Sequence, residues 1–181
     1  MAKQQTIIKS VSLKGVGIHS GNEVNLTFKP AEDNFGYAFC RIDMPDKPII
    51  EADINYVVNT KRGTTLEKNG INIQTSEHVL AALVGLEIDN VLIELDAAEP
   101  PIMDGSSKYF VEALIKAGVK EQSEDRVEYI VKDVISYYDE DSGSDITVIP
   151  SKFYEVTTMV DFGTKILGTQ NATMKKLSQF K

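Results

Sequence analysis

The chain of 181 residues contains two histidines, His19 and His78, and the second directly follows Glu77. A neutral imidazole is a good zinc ligand, and a carboxylate beside a metal-bound water is a suitable general base. A catalytic zinc site normally has three protein ligands and one open position. The Glu77-His78 pair alone is therefore a weak signal, because a Glu in a first helical turn beside an ordinary histidine gives the same dipeptide.

Further candidates combine polar side chains with turn-forming neighbours. His19 lies in the glycine-rich segment 15–21, which fits either a surface turn or a loop that supports a site. Asp104 precedes a helical pattern, so it fits either a residue that caps this helix or a catalytic carboxylate. Lys61 and Arg62 fit a solvated turn. The residue types alone leave these alternatives open.

Two helices are predicted, and the first begins at the Glu77-His78 pair and spans about residues 77–86. Thr75 or Ser76 is placed to cap its unpaired amides, and its positive end favours an anion. This segment is apolar on nearly every side, which predicts a deeply buried helix. The second helix spans residues 107–117 with one apolar stripe, and Gly118 is placed to end it in the left-handed conformation.

Most of the chain before the first helix is typical of β-strands, because apolar and polar residues alternate. Asn69-Gly70 between two such runs predicts a hairpin, since both residues tolerate positive φ. The apolar density of residues 90–95 predicts a central strand. The predicted strands are 6–13, 23–28, 37–42, 64–67, 71–74 and 90–95. Together with the helices they predict an α+β fold, a two-layer sheet-and-helix sandwich that ends near residue 120.

The remaining residues predict a smaller unit. The polar segment 120–125 is a candidate linker, and we place the domain boundary after residue 121. The predicted elements are strands at 127–138, 146–149 and 153–162 and a helix that begins at Asn171 or Thr173 and continues through Phe180. Such a unit buries too little surface to offset its chain entropy. We therefore predict a first domain at residues 1–121 and, at 122–181, the truncated beginning of a second, similar domain.

The composition excludes several classes of protein. A net charge of −8 argues against a nucleic-acid partner, because binding to phosphate backbones relies on clustered Lys and Arg. No apolar run approaches the roughly 20 residues of a transmembrane helix, and the N-terminus lacks a signal-peptide core. The single cysteine, Cys40, has no partner for an internal disulfide and is expected to be buried. These features predict a cytoplasmic protein and leave its oligomeric state open.

Four motifs that occur in a fixed order along the chain are together specific for one family. Together they closely resemble the UDP-3-O-acyl-N-acetylglucosamine deacetylases, the zinc-dependent hydrolases of lipid A biosynthesis in Gram-negative bacteria. The motifs are Gly15-Val16-Gly17-Ile18-His19-Ser20-Gly21, Thr75-Ser76-Glu77-His78-Val79-Leu80-Ala81-Ala82-Leu83, Ile88-Asp89-Asn90-Val91 and Pro101-Ile102-Met103-Asp104-Gly105-Ser106. The resemblance extends to Val160-Asp161-Phe162 and covers essentially the whole chain.

The resemblance implies two similar domains, each a sheet layered with helices. It also implies the reaction, in which a zinc-bound water attacks the acetamide carbonyl of UDP-3-O-acyl-N-acetylglucosamine and acetate leaves. By the motif match, Glu77 corresponds to the general base and His78 to the first ligand of Zn²⁺. His19 and Asp104 are candidate supporting residues, and the resemblance makes Lys61 and Arg62 candidates for holding the anionic diphosphate of the substrate.

The resemblance also implies an incomplete site. The family's other two zinc ligands, a His and an Asp on one helix, belong to the second domain, as does a later catalytic His. No histidine follows His78, so we expect the chain alone to be inactive. Two other classes of function stay open: a sugar-nucleotide or lipid binding module, and a structural fragment without catalysis.

Overall fold

The computed structural model describes residues 2–180, which form two compact units at 2–126 and 127–180. The elements of the first unit are β1 (Lys3–Ile7), β2 (Val11–Val16), β3 (Glu23–Pro30), β4 (Tyr37–Arg41), β5 (Ile49–Glu51), β6 (Val57–Asn59), β7 (Thr65–Lys68), β8 (Ile71–Ile73), α1 (Glu77–Gly85), β9 (Val91–Leu95), α2 (Lys108–Ala117) and β10 (Val119–Asp125), with a 3₁₀ helix at Ile54–Tyr56.

The main sheet has the strand order β2-β3-β9-β4-β5, which places the apolar strand β9 at its centre as the sequence predicts. β9 is antiparallel to β3 and parallel to β4. Helix α2 packs against β2 and α1. Phe28 of β3 and Phe110 of α2 are both fully buried, and their rings meet edge to face with 6.4 Å between centroids. The prediction of a mixed fold of strands and helices is confirmed.

A separate small sheet, β6-β7-β8, precedes α1. Its β7–β8 hairpin turns at Asn69 and Gly70, whose φ angles are 54° and 76°. Both angles are positive, as the Asn-Gly dipeptide predicts. Helix α1 follows β8 after a short turn and is buried along Val79, Ala82 and Leu83. Val84 is 41% exposed, so the prediction that α1 is buried on nearly every side is only partly met.

Two sequence predictions for the first unit are wrong because β1 pairs with β10. Residues 6–13 form two strands, because β1 pairs with β10 whereas β2 pairs with β3 in the main sheet. The polar segment 120–125, predicted as a linker, lies in β10. Arg126 then holds the end of this strand with two hydrogen bonds of 2.8 Å to the Asp89 carboxylate. The compact unit ends after Arg126, and the domain boundary after residue 121 stays a prediction.

The second unit contains β11 (Ile135–Asp139), β12 (Ser144–Val148), β13 (Val156–Asp161), β14 (Thr169–Met174) and a 3₁₀ helix at Leu177–Phe180. The predicted hairpin of β11 and β12 is confirmed, although its first strand begins at Ile135. The predicted helix from Asn171 or Thr173 is wrong, because β14 pairs with β13. Gly163 and Gly168, with φ of 61° and 57°, let the chain reverse between these strands.

The two hairpins of the second unit form separate two-stranded sheets. They do not reproduce the layered arrangement of the first unit, so a second, similar domain stays a prediction. Within residues 2–180, no helix combines the length and the apolar character required to cross a bilayer.

Candidate functional site

The Glu77-His78 pair occupies the first turn of α1. Glu77 Oε2 accepts a hydrogen bond of 2.8 Å from the Thr64 amide, which fixes one carboxylate oxygen. His78 Nε2 lies 3.7 Å from Glu77 Oε1, which is too long for a hydrogen bond. The side chains of Glu77 and His78 are 39% and 29% exposed, so both are accessible. The structure therefore places an accessible carboxylate oxygen and an imidazole nitrogen side by side.

The predicted cap of α1 is wrong, because neither candidate side chain bonds an amide of the helix. The Ser76 hydroxyl donates to the Thr64 carbonyl at 3.1 Å, and the Thr75 hydroxyl donates to Glu99 Oε1 at 3.1 Å. Ser76 already has helical angles, φ −76° and ψ −19°, whereas a capping residue normally lies in the β region. These hydroxyls fasten the turn before α1 to neighbouring loops instead.

A cavity of about 400 Å³ lies beside this turn. It brings together three of the residues singled out from the sequence, His19, Lys61 and Arg62, and His19 Nε2 lies 3.3 Å from the Arg62 carbonyl oxygen. The other lining residues are Val58, Asn59, Gly63, Thr65, Glu67, Asn72, Gln74 and Thr75. Glu77 and His78 are not among them, so the Glu-His pair lies next to this cavity rather than within its lining.

Asp104 lies in the turn before α2 and is exposed. Its Oδ1 accepts bonds from the Ser106 amide at 3.0 Å and the Ser106 hydroxyl at 2.8 Å, and these bonds hold the pKa of Asp104 below its usual value. The helix itself starts at Lys108, and the Ser107 hydroxyl just before it donates to the His78 carbonyl at 2.8 Å. Asp104 thus shapes the turn without capping α2, and Ser107 connects the starts of the two helices.

Sequence reasoning missed Glu99, a carboxylate that is 1% exposed and lies between the His19 loop and the start of α1. It accepts hydrogen bonds from the His19 and Ser20 amides and from the Thr75 hydroxyl. Burial opposes ionisation of Glu99, but these bonds stabilise the carboxylate and lower its pKa below the usual value. The one sequence signal was a charged residue directly before Pro100-Pro101 and the Asp104 motif.

Zinc requires more ligands than the described part of the chain brings together. No group of three or more His, Cys, Asp or Glu side chains in residues 2–180 has an arrangement that could hold a metal ion. His78 supplies one imidazole and Glu77 one carboxylate, whereas a catalytic zinc normally has three protein ligands. The described residues therefore do not complete such a site by themselves.

Comparison with known proteins gives matches over nearly the whole chain. The family model of LpxC, UDP-3-O-acyl N-acetylglycosamine deacetylase, matches residues 4–181. A bifunctional enzyme LpxC/FabZ of Bacteroides thetaiotaomicron is 42% identical over 181 residues, which are 100% of this chain and 39% of that protein. A UDP-3-O-acyl-N-acetylglucosamine deacetylase of Geotalea uraniireducens is 41% identical over 175 residues, 97% of this chain and 56% of that protein. The chain thus spans about half the length of such curated relatives, or less.

Proposed function

Since the chain belongs to the UDP-3-O-acyl N-acetylglycosamine deacetylase family, we propose that it forms the N-terminal part of a zinc-dependent deacetylase. The substrate in this proposal is UDP-3-O-acyl-N-acetylglucosamine, and the products are the free amine and acetate. The observation that carries the proposal is the position of the Glu77-His78 pair, with 3.7 Å between Glu77 Oε1 and His78 Nε2 at the accessible start of α1.

Glu77 has one oxygen fixed and one oxygen free to take part in proton transfer. Its Oε2 accepts the Thr64 amide, so Oε1 is the atom that takes a proton from the attacking water and later passes it on. The helix start adds a positive potential that favours an anion beside this carboxylate. Holding Oε2 with a backbone amide keeps Oε1 oriented, which is the geometry a general base needs.

We propose that His78 supplies one ligand of a zinc ion whose remaining ligands lie in sequence after residue 181. The proposal needs these further ligands because a catalytic zinc normally has three protein ligands and His78 is a single imidazole. Bound zinc supplies the chemistry of lowering the pKa of a water molecule from about 16 to about 7. Residues 1–181 by themselves are proposed to lack deacetylase activity.

His19 is proposed to support the site from the neighbouring cavity, which it lines together with Lys61 and Arg62. These three side chains provide polar and cationic groups for the anionic diphosphate of the substrate. For Asp104, the two bonds to Ser106 support a role in the turn before α2. A cytoplasmic location belongs to the same proposal, because the single cysteine, Cys40, is a free thiol and suits a reducing compartment.

The test uses the full-length protein, meaning this chain with the sequence that follows residue 181 in its gene. Acetate release and zinc content are measured for wild type, Glu77→Gln and His78→Ala. Glu77→Gln should lower kcat by roughly 10²–10⁴-fold and retain zinc, because the amide keeps an acceptor for Thr64 but takes up no proton. His78→Ala should lower zinc content and rate together.

Glu112→Gln is the matched control, since Glu112 is an exposed carboxylate on α2, and it should leave both readouts unchanged. Substrate binding without acetate release by the wild type would favour a binding module. A wild-type protein that neither binds the substrate nor releases acetate would favour a structural role. Either result would contradict the proposed enzyme.

A further inference from the structure

We propose that Glu99 is a positioning residue, which fixes the His19 loop (residues 17–20) against the start of α1 and so sets the relative placement of His19 and Glu77. Within residues 2–180 it is the one buried carboxylate, with 1% of its surface exposed. Its effect on turnover rests on the proposed function, whereas its effect on the loop does not.

Burying a carboxylate costs free energy unless its oxygens accept hydrogen bonds. The donors that Glu99 binds therefore indicate which segments it positions. Oε2 accepts the Ser20 amide at 2.9 Å, and Oε1 accepts the His19 amide at 3.1 Å. Oε1 also accepts the Thr75 hydroxyl at 3.1 Å. One side chain therefore joins two segments, the His19 loop and the turn before α1, that are far apart in sequence.

The hydrogen bond between Thr75 and Glu99 links Glu99 to the start of α1. Thr75 has φ 52°, a left-handed conformation that β-branched residues rarely adopt, so it needs outside support. The next residue, Ser76, bonds the Thr64 carbonyl through both its amide at 3.2 Å and its hydroxyl at 3.1 Å. Glu77 then accepts the Thr64 amide. Glu99, Thr75 and the Thr64 contacts thus form one connected network that ends at the proposed general base.

Gly17 shows how closely the loop must approach Glu99. A Cβ at this position would lie 2.4 Å from Glu99 Oε2 and 2.4 Å from Ser20 Oγ. Only glycine leaves room for the carboxylate to reach the His19 and Ser20 amides. The loop and the carboxylate therefore fit each other through shape as well as through hydrogen bonds.

Glu99 itself does not line the cavity, whereas its partners His19 and Thr75 do. It acts through these residues, so it is a positioning residue and not a catalytic one. A misplacement of about 1 Å in a reacting group can lower the rate by roughly 10²-fold. Loss of the bonds made by Glu99 is expected to act on kcat in this way.

The structural arm of the test compares the amide resonances of His19 and Ser20 in wild-type and Glu99→Gln full-length protein. Glutamine keeps the shape of the side chain but replaces one acceptor oxygen by a donor that faces donor groups. Both resonances should move upfield in this variant. Glu94→Gln is the matched control, because Glu94 is 19% exposed and pairs with Lys29 on the main sheet. It should leave both resonances unchanged.

The kinetic arm measures kcat and KM per folded molecule. Glu99→Gln should lower kcat by roughly 10²-fold with a small change in KM. Combined with His19→Ala, its effect should be smaller than the product of the two single effects, because both changes act through one loop. Thr75→Val should resemble Glu99→Gln, while Thr75→Ser keeps the hydroxyl and should retain most of the activity.

Unchanged His19 and Ser20 resonances in Glu99→Gln would overturn the proposal. So would a loss of activity that disappears when the rate is corrected for the folded fraction. If wild-type full-length protein released no acetate, the proposed function would fail, and the amide resonances would still decide whether Glu99 holds the loop.

Discussion

The substitution Gly17→Ala tests the packing of the His19 loop most sharply. The added Cβ would lie 2.4 Å from Glu99 Oε2 and from Ser20 Oγ, about 1 Å closer than the 3.4 Å at which ordinary contacts begin. Glu99 Oε2 is held by the Ser20 amide at 2.9 Å, so it moves only if that hydrogen bond is lost. The added methyl group is therefore expected to displace the buried Glu99 carboxylate and break its hydrogen bond to the Ser20 amide.

The expected cost follows from two overlapping effects. Overpacking a close-packed site typically costs about 1–3 kcal/mol. A hydrogen bond to a charged group is worth about 1.5–3 kcal/mol. Because one movement of the carboxylate causes both effects, we expect the free energy of unfolding to fall by about 2–3 kcal/mol rather than by their sum.

The assay is urea unfolding at neutral and acidic pH, with Gly21→Ala as the control. Gly21 lies in the same segment with φ 67°, and a Cβ there would meet no atom within 4 Å. Its substitution should cost about 1–2 kcal/mol through left-handed strain alone. Only Gly17→Ala should weaken the pH dependence that comes from Glu99. A Gly17→Ala protein as stable as wild type, with unchanged pH dependence, would refute the close approach.

Three further outcomes are expected. The pKa of Glu99 is lowered on folding, so its ionised form contributes its full stability above the usual pKa of 4.5. This contribution is lost as the pH falls through the pKa of the folded state. The difference in unfolding free energy between wild type and Glu99→Gln should therefore narrow below about pH 4.5. Phe110→Ala should cost about 3–5 kcal/mol in urea unfolding, because it empties a fully buried site against Phe28; an unchanged midpoint would contradict this packing. Burial raises the pKa of Tyr37 to about 12, so Tyr37→Phe should leave the tyrosinate absorbance that appears below pH 11 unchanged; a loss of absorbance there would show an exposed phenol.

Elements with local signals were predictable from the sequence. The Asn69-Gly70 turn, the central apolar strand β9 and the starts of both helices each follow from a few adjacent residues. The position of the Glu77-His78 pair follows in the same way, because it directly precedes the apolar part of α1.

Features that depend on distant partners were not predictable. β10 is polar and resembles a linker until β1 pairs with it across more than 100 residues of chain. β14 contains helix-compatible residues, and its pairing with β13 decides its structure. Glu99 gave no periodic signal, since its role comes from the His19 loop and Thr75, which only the tertiary fold brings together.

The central claim is that this chain carries the general base and one zinc ligand of a deacetylase whose remaining ligands lie beyond it. The most direct test is the rate of acetate release from UDP-3-O-acyl-N-acetylglucosamine by residues 1–181 and by the full-length protein, both with zinc present. We predict turnover by the full-length protein and none by residues 1–181. Turnover by residues 1–181 alone would contradict the claim, because their described part brings no three candidate zinc ligands together.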